Sequence, residues 1–159
     1  LPPGLAFGVA REAFARGAAE ARDRGRYFDL AEFEAYAAKR QTPNTPAISL
    51  LYALDAQLAA MAACEPIAAR WARHAAMARE LYAWVDAHAG RFGVGVLAPP
   101  GERSPTVTAV TLPAGLAGDA VVRAMAERGY VIGAGYGKLK GTTIRIGHMG
   151  DHTPATLAG

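Results

Sequence analysis

Residues 141–150, Gly-Thr-Thr-Ile-Arg-Ile-Gly-His-Met-Gly, place one arginine inside a short β-branched run that is bracketed by glycines. The run Thr142–Ile146 predicts a β-strand, because threonine and isoleucine favour strands. Successive side chains of a strand point to opposite faces, so Ile144 and Ile146 share one face and Arg145 lies on the other. We therefore expect the two isoleucines to enter a core and Arg145 to face away from it.

Arg145 is a candidate anion receptor. A guanidinium on a rigid strand, close to a residue without a side chain such as Gly147, can bind a planar carboxylate through two parallel hydrogen bonds. The same pattern also fits an arginine on the solvated face of an antiparallel sheet. The strand alone leaves both interpretations open.

The composition bounds the class of protein. Its 159 residues are 52% hydrophobic and 19% charged, which is typical of a globular chain. The 17 basic side chains barely outnumber the 14 acidic ones and the arginines are scattered, so we expect no nucleic acid partner. No apolar run approaches the roughly 20 residues that a membrane span needs, so we expect no membrane partner. The single cysteine, Cys64, excludes an internal disulfide and favours a cytoplasmic location.

The first 46 residues combine short elements with a proline-containing loop. We predict a short strand over 5–9, helical structure within 11–24, and a short helix that Asp29 caps. The segment 41–46, Gln-Thr-Pro-Asn-Thr-Pro, should be irregular, because each proline excludes its predecessor from helical geometry.

Asn44 and Thr45 lie in this irregular loop, just before a predicted helix. Their amide and hydroxyl groups could bind an anion, assisted by the positive end of the helix. They could equally serve only to cap that helix.

Two long helices follow. Apolar residues at helical spacing predict one helix from Ile48 to Met61 and a second from Ile67, with Gly90 placed to end it. The segment 64–66 breaks the two helices, and its proline suits a first helical position.

Four side chains of these helices are of a type that can serve in a functional site. For each of them we predict a structural role instead. His74 lies on the apolar stripe of the second helix and is predicted to be a half-buried structural residue. Trp71 and Trp84 are predicted to be packing residues. Cys64 is predicted to be a small buried hydrophobe rather than a nucleophile.

The remainder predicts a small α/β lobe with a largely antiparallel sheet. Asp119 should cap its helix. Lys138 and Lys140 lie in a glycine-rich turn, where a lysine is solvated and protonated, so neither is assigned to imine chemistry. The predicted strands are 92–97, 106–112, 130–134 and the arginine strand.

The segment 137–150 resembles the C-terminal signature of the class V aminotransferases. These are fold-type I pyridoxal phosphate (PLP) enzymes that include alanine–glyoxylate and serine–glyoxylate aminotransferases. Residues 1–6, 42–46 and 104–110 resemble three further stretches of that family, in family order and with family spacing. The resemblance thus covers nearly the whole chain.

The resemblance implies an α/β fold, namely the C-terminal part of a fold-type I aminotransferase with long helices and a small, mostly antiparallel lobe. Residues 1–46 would be the remnant of the large cofactor-binding domain and residues 47–90 the long connecting helices. Residues 91–159 would form the small C-terminal lobe, truncated at its end.

The resemblance also implies roles for three residues. Arg145 would bind the α-carboxylate of the substrate. Asn44 and Thr45 would reach the PLP phosphate of the other subunit, which implies a homodimer with shared active sites. Branches of the family differ by one position in this motif, so the choice between these two side chains stays open.

The implied reaction moves an amino group from an amino acid such as alanine or serine to a keto acid such as glyoxylate or pyruvate. The Schiff-base lysine is expected before Leu1, so we assign no catalytic residue and no metal ligand here, and expect these 159 residues alone to be inactive. The alternative is a stand-alone α/β domain that binds an anionic metabolite or a protein partner through Arg145. An exposed apolar face along 48–61 would favour the aminotransferase interpretation.

Overall fold

A computed structural model describes residues 3–25 and 27–158. The chain forms two compact units, Leu1–Cys64 and Glu65–Gly159. Residues 1 and 2 of the first family-like stretch, and residue 159 at the end of the predicted small lobe, lie outside the described residues. The division at residues 46 and 90 stays a prediction about the intact protein.

The first unit contains helices α1 (Glu12–Glu20), α2 (Leu30–Ala38) and α3 (Ile48–Cys64). Asp29 caps α2 as predicted, since its carboxylate accepts hydrogen bonds from the backbone N–H groups of Ala31 at 3.0 Å and Glu32 at 3.4 Å. The loop between α2 and α3 is irregular, as the prolines require.

The predicted strand over residues 5–9 is wrong. These residues belong to no strand, and the side chains of Phe7 and Val9 are exposed. A strand needs a hydrogen-bonding partner, and the described part of this unit offers no other strand.

Helix α3 has no buried residue. Its exposed apolar side chains are Ile48, Leu51, Tyr52 and Leu58. Cys64, at the end of α3, is also exposed, so the prediction that it is buried is wrong.

The second unit is an α/β lobe. It contains helices α4 (Ile67–Phe92), α5 (Gly118–Ala126) and α6 (Pro154–Ala158), and strands β1 (Gly95–Val96), β2 (Val107–Thr111), β3 (Gly133–Ala134) and β4 (Thr143–Gly147). The four strands form one sheet in the order β1-β2-β4-β3, and every neighbouring pair is antiparallel. This confirms the predicted α/β fold with its antiparallel sheet.

The core of this lobe lies on one face of the sheet. Val110 of β2 and Ile144 of β4 are buried together with Leu81 and Val85 of α4. Half-buried apolar side chains from β1, α5 and α6 surround this group. The predicted alternation of β4 is therefore correct, since its isoleucines face the helices.

The ends of two helices differ from prediction. Helix α4 continues past Gly90 and ends at Phe92, because Gly93 adopts the left-handed conformation (φ 65°) that closes a helix. Helix α5 is not capped by Asp119. Its first N–H, that of Gly118, donates instead to the carbonyl of Gly141 at 2.9 Å, so a distant strand connection replaces the local cap.

The two tryptophans are not packed into the core as predicted. Trp71 is 65% exposed and Trp84 is 51% exposed. Trp84 stacks on His88 with ring centroids 4.5 Å apart, and His88 stacks on Phe92 at 5.6 Å, so an aromatic ladder follows the outer face of α4.

Among the described residues, no single helix is both long enough and apolar enough to cross a membrane. Within that part of the chain, only α3 and α4 taken together have the length and the composition that a membrane span needs.

Leu81→Ala should destabilise the second unit by about 2–5 kcal/mol, because it leaves a cavity between α4 and the sheet. Urea unfolding followed by tryptophan fluorescence reports on this unit, since both tryptophans of the chain lie in α4. Val131→Ala is the matched control, because Val131 is 96% exposed. Equal midpoints for the two variants would contradict this account of the core.

Candidate functional site

Arg145 lies at the centre of β4, opposite Ala109 of β2 on one side and Gly133 of β3 on the other. Its side chain is exposed, whereas Ile144 is buried on the helix-covered face. The strand therefore presents the guanidinium on the face of the sheet opposite the core, as the alternation of residues predicted.

The guanidinium of Arg145 is held by the edge strand. Its Nε donates a hydrogen bond of 2.8 Å to the carbonyl oxygen of Ala134. It also lies close against Gly133, where an added Cβ would come within 3.2 Å of Nη2. Within residues 3–25 and 27–158, no carboxylate lies within 4.0 Å of it. The arginine thus carries an oriented positive charge that this part of the chain leaves uncompensated.

The connection between β3 and β4 contains a short 3-10 helix, Gly137–Leu139, and leaves no space for a side chain at Gly135. A Cβ at that position would lie 2.2 Å from the carbonyl oxygen of Leu139. The Thr143 hydroxyl donates to the same oxygen at 3.0 Å and is buried beneath the turn. Lys138 and Lys140 are exposed on this turn, as predicted.

The segment that follows β4 is fixed by the first turns of α4. The carbonyl oxygen of Gly150 accepts hydrogen bonds from Nη1 of Arg70 at 2.9 Å and from Nη2 of Arg73 at 3.0 Å. Nε2 of His74 lies 3.2 Å from the same oxygen. His74 is therefore a half-buried structural residue, as predicted.

Glu65 holds the two arginines together. Its carboxylate accepts two hydrogen bonds from Arg73, at 2.8 and 2.6 Å, and lies 3.2 Å from Nε of Arg70. The hydrogen bonds from Arg73 lower the pKa of Glu65, although desolvation opposes them, and the same bonds raise the pKa of Arg73. Arg70 also binds Asp151 at 2.8 Å, and Arg73 contacts the carbonyl of His152.

We call this group the Gly150 clamp: Glu65, Arg70, Arg73 and His74 with the backbone of residues 150–152. The clamp was not predicted, because the residues that it joins across the lobe are 76 to 81 positions apart. The available signal was a glutamate before Pro66 with basic residues on the first turns of the next helix.

His148 is fully buried at the end of β4. Its Nε2 lies 2.9 Å from the hydroxyl of Thr108, and Nδ1 has no hydrogen-bond partner among the described residues. Burial disfavours the charged imidazole and lowers the pKa of His148. The contact between Thr108 and His148 joins β2 to the residue that follows β4.

Asn44 and Thr45 are exposed in the loop before α3, in the first unit. The hydroxyl of Thr42 donates to the backbone carbonyl of Asn44 at 2.7 Å and braces the loop. In the described part of the chain, neither the Asn44 amide nor the Thr45 hydroxyl makes a hydrogen bond, so the structure gives no support to the capping alternative. An amide and a hydroxyl left available suit the oxygens of a phosphate.

Comparison with known proteins gives consistent results. No family model matches the chain. It is 35% identical, over 94% of its length, to an uncharacterised aminotransferase of Methanocaldococcus jannaschii. It is 32% identical, over 98% of its length, to the L-aspartate–glyoxylate aminotransferase of Paracoccus denitrificans. The chain spans 38% of the length of each of these curated relatives.

Comparison of the fold with solved structures also gives similarity to aminotransferases. The crystal structure of pyridoxamine–pyruvate aminotransferase from Mesorhizobium loti matches with a TM-score of 0.75 and 30% identity, over 92% of this chain and 38% of that one. The fold of this chain is thus shared with part of an aminotransferase of known structure. The matches confirm the predicted resemblance of this chain to the aminotransferases, in sequence and in fold.

Glu65→Gln should lower the melting temperature at neutral pH. It should also reduce the amount by which the melting temperature falls as the solution is acidified. A carboxyl whose pKa is lowered by folding contributes stability that is complete above its unfolded pKa, about 4.3, and that is lost as the pH falls through the folded pKa. The wild type should therefore lose more stability than Glu65→Gln between pH 7 and pH 3.

The matched control is Glu80→Gln, since Glu80 is exposed on α4, the helix that carries Arg70 and Arg73, and makes no ion pair within the described part of the chain. If Glu65→Gln and Glu80→Gln gave the same melting curves at every pH, the clamp would contribute nothing to stability.

Proposed function

We propose that this chain is the C-terminal part of a PLP-dependent class V aminotransferase. The intact protein transfers an amino group from an amino acid such as alanine or serine to a keto acid such as glyoxylate or pyruvate. It works as a cytoplasmic homodimer. The observation that carries the proposal is the oriented Arg145 guanidinium, uncompensated among the described residues, on a fold that the chain shares with aminotransferases.

Arg145 binds the carboxylate group that donors and acceptors of this reaction have in common. A guanidinium and a carboxylate form charge-assisted hydrogen bonds whose geometry fixes the plane of the acid group. Fixing that plane orients the α-carbon next to it, and orientation of a reacting centre lowers the barrier of the chemical step. One arginine thus serves both half-reactions.

The names of the relatives support the choice of acceptor. The Paracoccus relative is an L-aspartate–glyoxylate aminotransferase, and the Mesorhizobium structure is a pyridoxamine–pyruvate aminotransferase. Glyoxylate and pyruvate are both short 2-oxo acids. A short acid leaves the carboxylate as its main recognition group, which suits recognition by the Arg145 guanidinium.

Asn44 and Thr45 fit a phosphate group, because both present available polar side chains on a braced loop. We assign them to the PLP phosphate of the partner subunit. PLP, when bound, supplies an electron sink for the charge that develops at the substrate α-carbon. The lysine that carries PLP is expected outside these residues, since Lys39, Lys138 and Lys140 are all exposed and none has the desolvated setting that an imine-forming amine needs.

The exposed apolar face of α3 favours the aminotransferase proposal over a stand-alone binding domain. Ile48, Tyr52 and Leu58 are each more than half exposed, and no residue of α3 is buried. Contiguous apolar surface of this kind is typical of a region that another part of a protein covers.

In the intact enzyme, Arg145→Ala should raise KM for the amino donor steeply and lower kcat/KM by roughly 100-fold or more, because two charge-assisted hydrogen bonds are lost. Steady-state kinetics with alanine and glyoxylate measure the effect. Arg145→Lys should recover only part of it, since an ammonium keeps the charge without the planar geometry.

Arg128→Ala is the matched control. Arg128 is also exposed, and its Nη1 also donates to a backbone carbonyl, that of Ala124 at 2.8 Å. Unchanged KM and kcat in Arg145→Ala, or an equal loss in Arg128→Ala, would refute the role of Arg145.

Asn44→Ala and Thr45→Val should each be tested for weaker retention of PLP in the intact enzyme. Loss of a phosphate contact should raise the dissociation constant of PLP about tenfold in the variant whose side chain binds, without changing KM for the amino donor at saturating PLP. Absorbance of the bound cofactor during titration measures this constant. If both variants retain PLP like the wild type, the assignment of this loop is wrong.

A further inference from the structure

Gly133 lies directly opposite Arg145 in the β3–β4 pairing, and the Arg145 guanidinium lies close against it. A Cβ added at Gly133 would lie 3.2 Å from Nη2, 3.4 Å from Nε and 3.5 Å from Cζ of Arg145. Three atoms of the planar guanidinium therefore lie close above the glycine. The absence of a side chain at 133 lets the arginine lie flat against the edge strand.

The next residue of β3 fixes the orientation of the guanidinium. The carbonyl oxygen of Ala134 accepts the Nε proton of Arg145 at 2.8 Å. A carboxylate can bind an arginine either through Nε and one terminal nitrogen or through the two terminal nitrogens. Because Nε is already engaged, the first mode is blocked, and Nη1 and Nη2 remain for the ligand.

We propose that Gly133 is a positioning residue of the substrate site. Together with the Ala134 carbonyl, it sets Arg145 so that the substrate carboxylate binds end-on, to the two terminal nitrogens. This inference rests on the proposed function, because it assumes that the ligand of Arg145 is a carboxylate. Gly133 contributes to the site because it has no side chain, which leaves room for the guanidinium.

Fixing the orientation of the Arg145 side chain before the ligand binds favours affinity for that ligand. An arginine side chain has many rotamers, and ordering it when the ligand binds would cost affinity. Contact with Gly133 and the hydrogen bond to Ala134 order it beforehand. Gly133 and the Ala134 carbonyl thus hold the Arg145 side chain in its binding orientation before the ligand arrives.

The test compares Gly133→Ala and Gly133→Val in the intact enzyme. Valine suits a strand, so it should not disturb β3 itself, whereas its branched side chain fills the position of the guanidinium. KM for alanine and the inhibition constant of propionate, which is alanine without its amino group, should both rise at least tenfold in Gly133→Val. Gly133→Ala should give a smaller rise in the same direction, because a few tenths of an ångström suffice to relieve its contact.

Gly90→Ala is the matched control, since a Cβ at Gly90 meets nothing within 4 Å. Both constants should remain at wild-type values in this variant. The second check is the double variant Gly133→Val with Arg145→Ala, which should be no worse than Arg145→Ala alone, because both changes remove the same interaction. A merely structural effect of Gly133 would add to that of Arg145.

The outcomes separate this inference from the proposed function. If Arg145→Ala leaves KM and the propionate constant unchanged, the proposed function fails. If Arg145→Ala weakens both while Gly133→Val behaves like Gly90→Ala, only the role of Gly133 is wrong. A Gly133→Val effect that persists at full size without Arg145 would also overturn it.

Discussion

The antiparallel pairing of β2 with β4 determines which face of the sheet each residue of β4 occupies. Val110 pairs with Ile144 and Thr108 with Ile146, and this face packs on α4. A slip of one residue would expose the isoleucines and turn Arg145 into the core, where an unpaired charge is very costly. The apolar packing of α4 on the sheet thereby selects the side on which the arginine is available.

Both ends of β4 are held by contacts that involve backbone oxygens. Before the strand, the Leu139 carbonyl accepts the Thr143 hydroxyl inside a turn that requires Gly135. After it, the Gly150 clamp ties the chain to the first turns of α4. A strand fixed at both ends presents its central side chain with little freedom, which suits a receptor whose ligand must be oriented.

The sequence was sufficient for features that local chemistry dictates. The alternation around Arg145, the Asp29 cap and the irregular loop before α3 depend on neighbours within a few positions, and all agree with the structure. The order of the predicted elements supplied the antiparallel lobe, and the family resemblance supplied the aminotransferase relationship, which the pattern of elements alone could not give.

The failures have the opposite cause, because each depends on distant residues. The predicted strand near Phe7 has no strand to pair with, and the helix that Asp119 was expected to cap begins earlier because Gly141 satisfies its first N–H. Trp84 of the second unit and Cys64 of the first are both exposed, because burial is set by packing partners that a local pattern does not specify. The Gly150 clamp joins residues far apart in the chain, so no local pattern reveals it.

The two contacts that orient Arg145 both come from β3, an edge strand of only two residues. Short edge strands open locally far more often than the whole lobe unfolds, and such opening would release the guanidinium from its tether. Thermodynamic linkage is reciprocal, so an acid bound to Arg145 must lower the equilibrium population of the open strand by the factor by which opening weakens its binding. Amide hydrogen exchange at Gly135, whose N–H bonds to the Thr143 carbonyl at 2.9 Å, would therefore record ligand occupancy without any measurement of turnover.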